Sequence, residues 1–428
     1  MLTAIRNSWA LLFGMFLLMV GNGLQGTVLG VRGEAEGYSG LTLGLVMSAY
    51  FIGFLGGTQA TPHLLRRVGH VRVFAALASL VSAAFILFAA LVDPIAWFLL
   101  RVLVGFCFSG VYVVAESWLN DGATNETRGQ TMSAYVTAQM LGIVVAQGLL
   151  NVADPGQYEL FVIMSVLVSV SFAPILLSSS PVPMFEATRR MSVKRLIEAS
   201  PLGCVGMFLL GVIFACQFGM GAVYAAEIGL STLEISIFIG TIYVGGVICQ
   251  PPIGWFSDRM DRRLLIAALT LTGSAACLIV PITDGGFQAL VVSGFILGGT
   301  SNPLYSLLVA YVNDYLEHED MPSASAGLIL LNGVGAMGAP LTVGYLMDTV
   351  GPDAFFYMIF ASFAVITAYA LWRMTQRAAV PVDETGPMVL MTPVASQVSV
   401  DAAWEAAIEQ AQSEEEDSDG DGDKAAAT

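Results

Sequence analysis

Long apolar runs separated by short polar segments dominate the chain up to about residue 376. A helix needs about 20 apolar residues to cross a hydrocarbon core of about 30 Å, and the sequence supplies such runs one after another. The pattern therefore predicts twelve transmembrane helices. Their expected spans are Ser8–Leu29, Leu41–His63, Val71–Val92, Pro94–Trp118, Gly129–Asn151, Tyr158–Leu177, Leu202–Ala226, Thr232–Phe256, Leu264–Thr283, Phe287–Val312, Ala324–Met347 and Ala354–Met374.

The composition indicates a membrane as the main solvent. Of the 428 residues, 56% are hydrophobic and 12% are charged, and the mean hydropathy is +0.74. A soluble globular domain contains about 25% charged residues. The net charge is −16, but twelve acids and one lysine from Asp383 onward supply −11 of it. The acidity therefore belongs to the tail, and binding of nucleic acid has no support.

Lys and Arg are distributed unevenly about the predicted spans. If the N-terminus lies inside, fifteen of the seventeen basic residues fall on the inner side. Arg32 lies in an outer loop, and Arg101 lies within a span. Because basic residues favour cytoplasmic loops, both termini are expected in the cytoplasm.

The loop Ser178–Ser200 is the longest between predicted spans and divides six helices from six. We therefore expect an N-terminal six-helix bundle over residues 1–177 and a cytoplasmic loop over 178–200. A C-terminal six-helix bundle over 201–376 follows, and then an acidic cytoplasmic tail over 377–428. The tail is rich in Pro, Ala, Ser and acid, so it is expected to be mostly disordered and dispensable for insertion and transport.

Weak internal similarity supports the division into two halves. Gly105-Phe106 with Gly110 recurs as Gly294-Phe295 with Gly299, and Arg67 matches Arg259. Repeated halves are typical of transporters that rock two bundles about a central site.

The segment after the eighth span resembles a motif of the major facilitator superfamily (MFS). Gly254-Trp255-Phe256-Ser257-Asp258-Arg259-Met260-Asp261-Arg262-Arg263 is similar to that family's G-x-x-x-D-R-x-G-R-R loop, with Asp261 where Gly is usual. The equivalent loop of the first half, Pro62 to Arg72, is degenerate. Arg101 and Gly105 are similar to the family's R-x-x-x-G signature in helix 4. The Gly-Pro pattern of drug/proton antiporters is absent from helix 5.

A second segment, Tyr112 to Gly129, resembles the YcaD-like bacterial branch of the superfamily. Together the resemblances cover Ser8 to about Arg377. They imply an all-α integral membrane protein, with twelve transmembrane helices in two six-helix bundles (the MFS fold) plus a disordered tail. They also imply a multi-pass protein of the bacterial inner (cell) membrane, and they carry no particular substrate.

Polar side chains within the spans form the candidate site. A charge near the centre of a spanning helix costs about 2.5–3.5 kcal/mol on insertion scales, so such residues tend to face a cavity. In the MFS arrangement helices 1, 4, 7 and 10 line that cavity, with helices 5 and 11 ranking second. Alternatively, the amides and phenols only tie helices together. The predicted substrate-binding residues are Asn22, Gln25, Arg101, Tyr112, Gln139, Gln217, Tyr224, Asn302 and Tyr305.

Arg101 is the most informative of these residues. It shares a helix face with Gly105, Phe108 and Tyr112, and Gly105 is expected to leave room beside the guanidinium. An unpaired buried charge is expensive. The interpretation is that an anionic or carboxylate-bearing solute supplies the missing partner.

The predicted gate lies at the inner membrane surface, too far from the midplane to contact a ligand. By the two-fold logic of the fold, Asp258 would face Arg128 and the N-terminus of helix 5 when the inner end is closed. The predicted gating residues are Arg67, Glu116, Arg128, Asp258, Arg259 and Arg262.

No nucleotide loop, metal-ligand cluster or nucleophile triad is present in the sequence, so neither an enzyme nor a cofactor or metal is expected. The expected function is secondary active or facilitative transport of a small organic solute by alternating access, with proton coupling left open. The alternatives are a transport-silent receptor or scaffold on the same fold, whose tail recruits a partner, and an exporter of drug-like compounds. Expected partners are the small-molecule substrate, the lipid bilayer and, if transport is proton-coupled, protons. The protein is expected to be a monomer.

Overall fold

Helices form the regular secondary structure of the described chain, in which no strand occurs. The computed structural model describes residues 2–121, 123, 125–177, 191–283, 286–317 and 320–376, with 380–381, 385–386, 388–389 and 391 in the tail. A π-helical segment, Cys216–Met220, joins α9 to α10. The helices are α1 (Leu2–Ala35), α2 (Gly40–Val68), α3 (His70–Ala90), α4 (Pro94–Asp121), α5 (Asn125–Leu149), α6 (Glu159–Ser171), α7 (Ala173–Leu177), α8 (Val193–Ala199), α9 (Pro201–Ala215), α10 (Gly221–Glu227), α11 (Thr232–Ser257), α12 (Arg262–Ile282), α13 (Phe287–Asn313), α14 (Met321–Val350) and α15 (Ala354–Met374).

Eleven helical segments of the described residues are long and apolar enough to cross a membrane. One of them, Pro201–Glu227, runs through α9, the π-helical segment and α10. The sixth predicted span is instead divided into α6 and α7 at Phe172, and its apolar part, Glu159–Ile175, is shorter. Pro174 explains the division, because proline lacks the N–H donor that would continue the hydrogen-bond ladder of α6.

The helices pack mainly against others from the same part of the chain. In the N-terminal half (residues 2–177), α1 packs on α5 and α6, while α4 packs on α2 and α3. In the C-terminal half (residues 191–376), α13 packs on α11 and α12, while α9 packs on α14 and α15. The halves meet where α2 contacts α14, α1 contacts α10 and α5 contacts α11.

Two glycines bring α2 and α4 into backbone contact. A Cβ atom on Gly53 would lie 1.9 Å from the carbonyl oxygen of Val102, and one on Gly105 would lie 2.0 Å from that of Tyr50. Small residues permit such close crossings between membrane helices. The structure thus corrects the expected role of Gly105: it admits the backbone of α2 rather than leaving a recess for a ligand.

The same crossing recurs between α11 and α13. A Cβ atom on Gly245 would lie 2.1 Å from the carbonyl oxygen of Phe295, and one on Gly298 would lie 1.7 Å from that of Ile242. Gly298 is therefore the counterpart of Gly105, at a spacing of 193 residues. The repeat inferred from the sequence paired Gly105 with Gly294 and was wrong by one helical turn.

The contacts between the halves concentrate at one end, which we name the sealed end, where α2 begins and α14 ends. A Cβ atom on Gly344 would lie 2.1 Å from the carbonyl oxygen of Gly40. The Asp348 carboxylate accepts hydrogen bonds from the backbone N–H groups of Gly40 and Leu41, at 2.7 and 2.8 Å. A carboxylate of the C-terminal half thus caps a helix of the N-terminal half. We name the other end, where α11 and α13 end, the opposite end.

Part of the tail packs on the C-terminal half at the opposite end. Met388 and Met391 are 8% and 3% exposed, although both fall in the segment expected to be mostly disordered. The signal that the sequence offered is the run Met388-Val389-Leu390-Met391, which is apolar within an otherwise polar tail. The acidic stretch from residue 392 onward lies outside the described residues, as does much of the predicted loop 178–200.

Candidate functional site

A cavity of about 150 Å³ lies between the two halves. A cavity of this size can hold a molecule as large as benzene. Both halves line it, and α1, α2, α4 and α5 of the N-terminal half contribute most of its polar side chains. Six of the nine predicted substrate-binding residues are in the lining: Asn22, Gln25, Arg101, Tyr112, Gln139 and Asn302. Asn332 of α14 is in the lining as well.

Arg101 is buried in the cavity wall, at 5% exposure. Its Nη2 atom donates to Sδ of Met47 at 3.2 Å, and its guanidinium carbon lies 5.0 Å from the ring centroid of Tyr50. The Nε–H group has no partner. In the described part of the chain, no carboxylate lies within ion-pair distance of this guanidinium. A thioether and an aromatic face stabilise the charge only partly.

The glycine crossing between α2 and α4 explains why Tyr50 lies beside Arg101. Gly105 lets the backbone of α2 approach α4 at Tyr50. Arg101 precedes Gly105 by about one helical turn on α4, so the phenol ring of Tyr50 reaches its guanidinium group. Tyr50 also lies close to Asn22 and Tyr112. The crossing therefore places a cation beside three polar side chains of the cavity wall.

Gln25 presents a second unmet polar group to the cavity. Its side chain is fully buried, and neither its Nε2 nor its Oε1 atom has a hydrogen-bond partner. A buried polar group without a partner costs about 1–3 kcal/mol. An amide can donate and accept at once, so a solute with both kinds of group would satisfy it.

Three lining residues also tie helices together. Asn22 donates through Nδ2 to the Tyr112 hydroxyl at 3.1 Å, which joins α1 to α4. Asn332 donates to the carbonyl oxygen of Met207 at 3.1 Å, which joins α14 to α9. The alternative role considered for the amides and phenols therefore applies to these residues in addition to their place in the wall.

Three predicted substrate-binding residues lie outside the lining. Gln217 lies in the π-helical segment, where its Oε1 atom accepts from Oγ of Ser301 at 3.1 Å. Tyr224 stacks on Phe355, with ring centroids 5.0 Å apart. Tyr305 is 1% exposed within the core. A π-helical turn contains an additional residue, so an α-helical period places Gln217 and Tyr224 on the wrong face.

Aromatic residues of α2 and α11 line the cavity although neither helix was expected there. They are Tyr50, Phe51 and Tyr243, and the ring of Tyr243 stacks on that of Phe218 with centroids 4.8 Å apart. The available signal was a tyrosine in the middle of an apolar span, because a buried hydroxyl usually needs a partner.

Three polar positions of the N-terminal half recur in the C-terminal half at the spacing of the glycine crossings. All three residues of the N-terminal half line the cavity, whereas only one of their counterparts, Asn332, does. The N-terminal half therefore supplies most of the chemistry that a ligand would meet. The pairs, at spacings of 192 or 193 residues, are Gln25 with Gln217, Tyr112 with Tyr305, and Gln139 with Asn332.

Arg262 forms the centre of an ion-pair cluster at the opposite end. Its Nη1 atom donates to Asp314 at 2.5 Å, its Nε atom donates to Ser257 at 3.1 Å, and its Nη2 atom lies 3.5 Å from Asp258. The cluster ties the start of α12 to the ends of α11 and α13. Burial raises the pKa of Asp314 to about 6, an effect that Arg262 opposes.

The other predicted gating residues are dispersed. Arg259 packs on its own helix, with its guanidinium carbon 4.3 Å from the ring centroid of Trp255, and Arg67 is exposed. Glu116 is buried in the N-terminal half and accepts from the Tyr135 hydroxyl at 3.1 Å. The side chain of Arg128 lies outside the described residues, so its contact with Asp258 stays a prediction.

Comparison with known proteins gives a consistent result along the chain. A model of the Major Facilitator Superfamily matches residues 11–220 and 203–408. The proteins named "Uncharacterized MFS-type transporter YcaD" from Salmonella dublin and Escherichia coli O7:K1 are 24% and 25% identical over 387 and 388 residues. Each match covers 89% of this chain and 99% of the relative.

Solved transporter structures share the fold at low sequence identity. The nucleoside transporter NupG has a TM-score of 0.69 at 14% identity, covering 87% of this chain and 99% of its own. A bacterial homologue of the human lysosomal transporter Spinster, inward-facing and occupied, has a TM-score of 0.68 at 14% identity, covering 87% and 97%. The E. coli fucose:proton symporter FucP has a TM-score of 0.55 at 16% identity, covering 86% and 99%.

Proposed function

The chain belongs to the Major Facilitator Superfamily, a family of non-enzymatic membrane transport proteins, and on that premise we propose that it moves a small organic anion across the membrane by alternating access. The observation that carries the proposal is Arg101, a buried cation in the cavity wall without an ion-pair partner among the described residues. A carboxylate-bearing solute fits this wall best. A guanidinium binds a carboxylate through two parallel hydrogen bonds, and the Gln25 amide offers a further donor and acceptor.

The proposed architecture has twelve spanning helices in two six-helix bundles. The recurring glycine crossings support it, since Gly53 and Gly105 of the first half have counterparts in Gly245 and Gly298 of the second. In this architecture α6 and α7 together form the sixth span, at the place where the described chain has a shorter apolar helix.

The proposed orientation places the opposite end in the cytoplasm of a bacterium. Arg66, Arg67 and Arg259 lie at that end, and basic residues favour the cytoplasmic side. The sealed end then faces outward, so this structure corresponds to a state in which the outer end is closed. The enterobacterial relatives support an inner-membrane location.

A transporter agrees with the cavity better than a transport-silent scaffold does. A scaffold on this fold has no need for a cavity, and a filled interior would favour it. Here the cavity is present, and Arg101 and Gln25 turn polar groups without full hydrogen-bond partners toward it. An exporter of drug-like compounds would need a larger cavity with a less charged lining.

We further propose protons as the coupling ion. Asp314, whose pKa is raised by burial to about 6, can exchange protons near neutral pH, and Glu116 is a second buried carboxyl. If solute binding is linked to proton uptake, the apparent affinity falls as the pH rises from about 5 to about 8. An apparent affinity that does not change with pH over this range would contradict proton coupling. Facilitated transport without a coupling ion would then be the remaining mechanism.

The direct test is a thermal-shift screen of the purified protein against small organic anions, cations and neutral solutes, because a ligand that binds the folded state raises its melting temperature. We expect carboxylates to be the first solutes that stabilise the parent. Arg101→Lys should weaken their binding by roughly tenfold or more, since lysine cannot form the forked pair. Arg72→Lys, at an exposed position, is the matched control. The anion proposal fails if Arg101→Lys leaves binding unchanged, or if only cations stabilise the protein.

A further inference from the structure

The described tail residues 385, 386, 388, 389 and 391 lie along the C-terminal half at the opposite end; we name them the tail segment. Both of its methionines are buried, at 8% exposure for Met388 and 3% for Met391. Methionine fills irregular apolar surfaces well because it is unbranched and flexible.

The outer part of the tail segment is bound by the ion-pair cluster. The carbonyl oxygen of Gly386 accepts from the Arg262 guanidinium, and its N–H group donates to Asp314. Oδ1 of Asp258 accepts from the backbone N–H of Met388 at 2.8 Å. Three charged side chains of the predicted gate region thus hold the backbone of the tail.

The inner part of the tail segment approaches the cavity. The backbone N–H of Met391 donates to Oγ of Ser306 at 2.9 Å, and its carbonyl oxygen accepts from Nε2 of Gln250 at 3.2 Å. Ser306 lies four residues after Asn302, which lines the cavity. One helical turn rises about 5.4 Å, so the segment ends about one turn from the ligand site.

These contacts are those of a bound peptide rather than of a loosely packed terminus. The protein side chains bind backbone groups at Gly386, Met388 and Met391, while two apolar side chains are buried, as when a groove recognises an extended peptide. Gln250 and Ser306 are 6% and 1% exposed. Without the segment, their polar groups would need another partner.

We propose that the tail segment is an intramolecular plug, which occupies the passage between the cavity and the opposite end and holds that end open. Asp258 carries the argument, because the Met388 backbone that its Oδ1 atom binds would stand in the way of the predicted contact between Asp258 and the N-terminus of α5. Closing the opposite end therefore requires the plug to leave. The proposal goes beyond transport of a solute, and its test needs no substrate.

The plug is tested by distance measurements between spin labels across the opposite end, at Gln130→Cys and Glu317→Cys, with the five native cysteines replaced. Both positions are exposed. Three chains are compared in lipid nanodiscs: the full chain, a chain that ends at Pro393, and one that ends at Gln376. We expect the first two to share one long distance. The third should gain a shorter distance, with its population raised by roughly tenfold.

A full-length chain and a peptide separate a lost plug from a misfolded protein. Met391→Asp in the full chain should also produce the shorter distance, since a charge replaces a buried side chain. A synthetic peptide of residues 384–393, added to the chain that ends at Gln376, should restore the long distance, and a scrambled peptide should not. The plug is refuted if the chains ending at Pro393 and Gln376 give the same distribution, or if the peptide has no effect.

Discussion

The two ends of the molecule are held together by different chemistry. At the sealed end, backbone packs on backbone where Gly344 meets Gly40, and Asp348 caps α2 across the two halves. At the opposite end, the charged groups of Arg262 and Asp314 pair within the C-terminal half and bind the tail segment.

This difference indicates what each end can do. A backbone contact at a glycine is either made or lost, because any residue with a Cβ atom would clash at that distance and no side chain can take over the contact. A cluster of charged side chains can exchange one partner for another with little change in its own helices. We therefore expect the sealed end to act as a closure with two states, and the opposite end as a site where the tail segment and the N-terminal half compete.

The largest effect should come from breaking the sealed end with Gly344→Val. A Cβ atom there would lie 2.1 Å from the carbonyl oxygen of Gly40, and overpacking of this kind costs about 1–3 kcal/mol or more. Only the state in which the halves meet at the sealed end should be affected. Spin labels at Leu91→Cys and Val350→Cys, both exposed, should report longer distances.

Gly338→Val on the same helix is the matched control, because a Cβ atom at Gly338 has nothing within 4 Å. It should leave the label distances as in the parent. Equal behaviour of the two valine variants would contradict the view that backbone contact closes this end.

A smaller effect is expected from Asp348→Asn. The substitution keeps the size of the side chain but removes the charge that binds the N–H groups of Gly40 and Leu41. A charged cap of this kind is worth about 1 kcal/mol, so the sealed population should fall by roughly fivefold in the same label experiment. Asp353→Asn is the control, since Asp353 is exposed and its side chain makes no cap bond. A shift of equal size in both variants would show that net charge, not capping, is responsible.

Much of the fold could be predicted from the apolar runs, because the bilayer fixes the length and composition of a spanning helix. Departures occurred where one residue alters local geometry. Pro174 divided the sixth span, and the π-helical segment turned Gln217 and Tyr224 away from the cavity. Neither effect changes hydropathy, so neither was visible in the pattern.

The candidate site was predicted best where burial of a polar group in the membrane was itself the signal. Arg101 and Gln25 are in the cavity wall as expected. Tyr50 was not expected, because its place depends on a helix crossing at Gly105, and a contact between two distant helices leaves no local pattern. The tail segment was missed because the apolar run ending at Met391 is too short to stand out beside the acidic residues that follow.

The smallest and sharpest effect concerns Asp258. The sequence predicts that Asp258 contacts the N-terminus of α5 when the opposite end is closed, a contact that we name the latch. In this structure Asp258 binds the tail segment instead. The two roles have opposite consequences for Asp258→Asn. Loss of the latch opens the opposite end further, whereas loss of a bond to the plug releases the tail and lets that end close. In the full chain the two effects partly cancel, so the label distance between positions 130 and 317 should change little.

In the chain that ends at Gln376 only the latch remains, so Asp258→Asn should there remove the shorter distance that truncation created. The expected result is a non-additive double-mutant cycle, with a coupling energy of about 0.5–3 kcal/mol between the substitution and the truncation. Arg259→Gln is the control, because Arg259 packs on Trp255 of its own helix and should give additive effects. If Asp258→Asn acts equally with and without the tail, Asp258 serves only one of the two partners, and the competition between plug and latch does not occur.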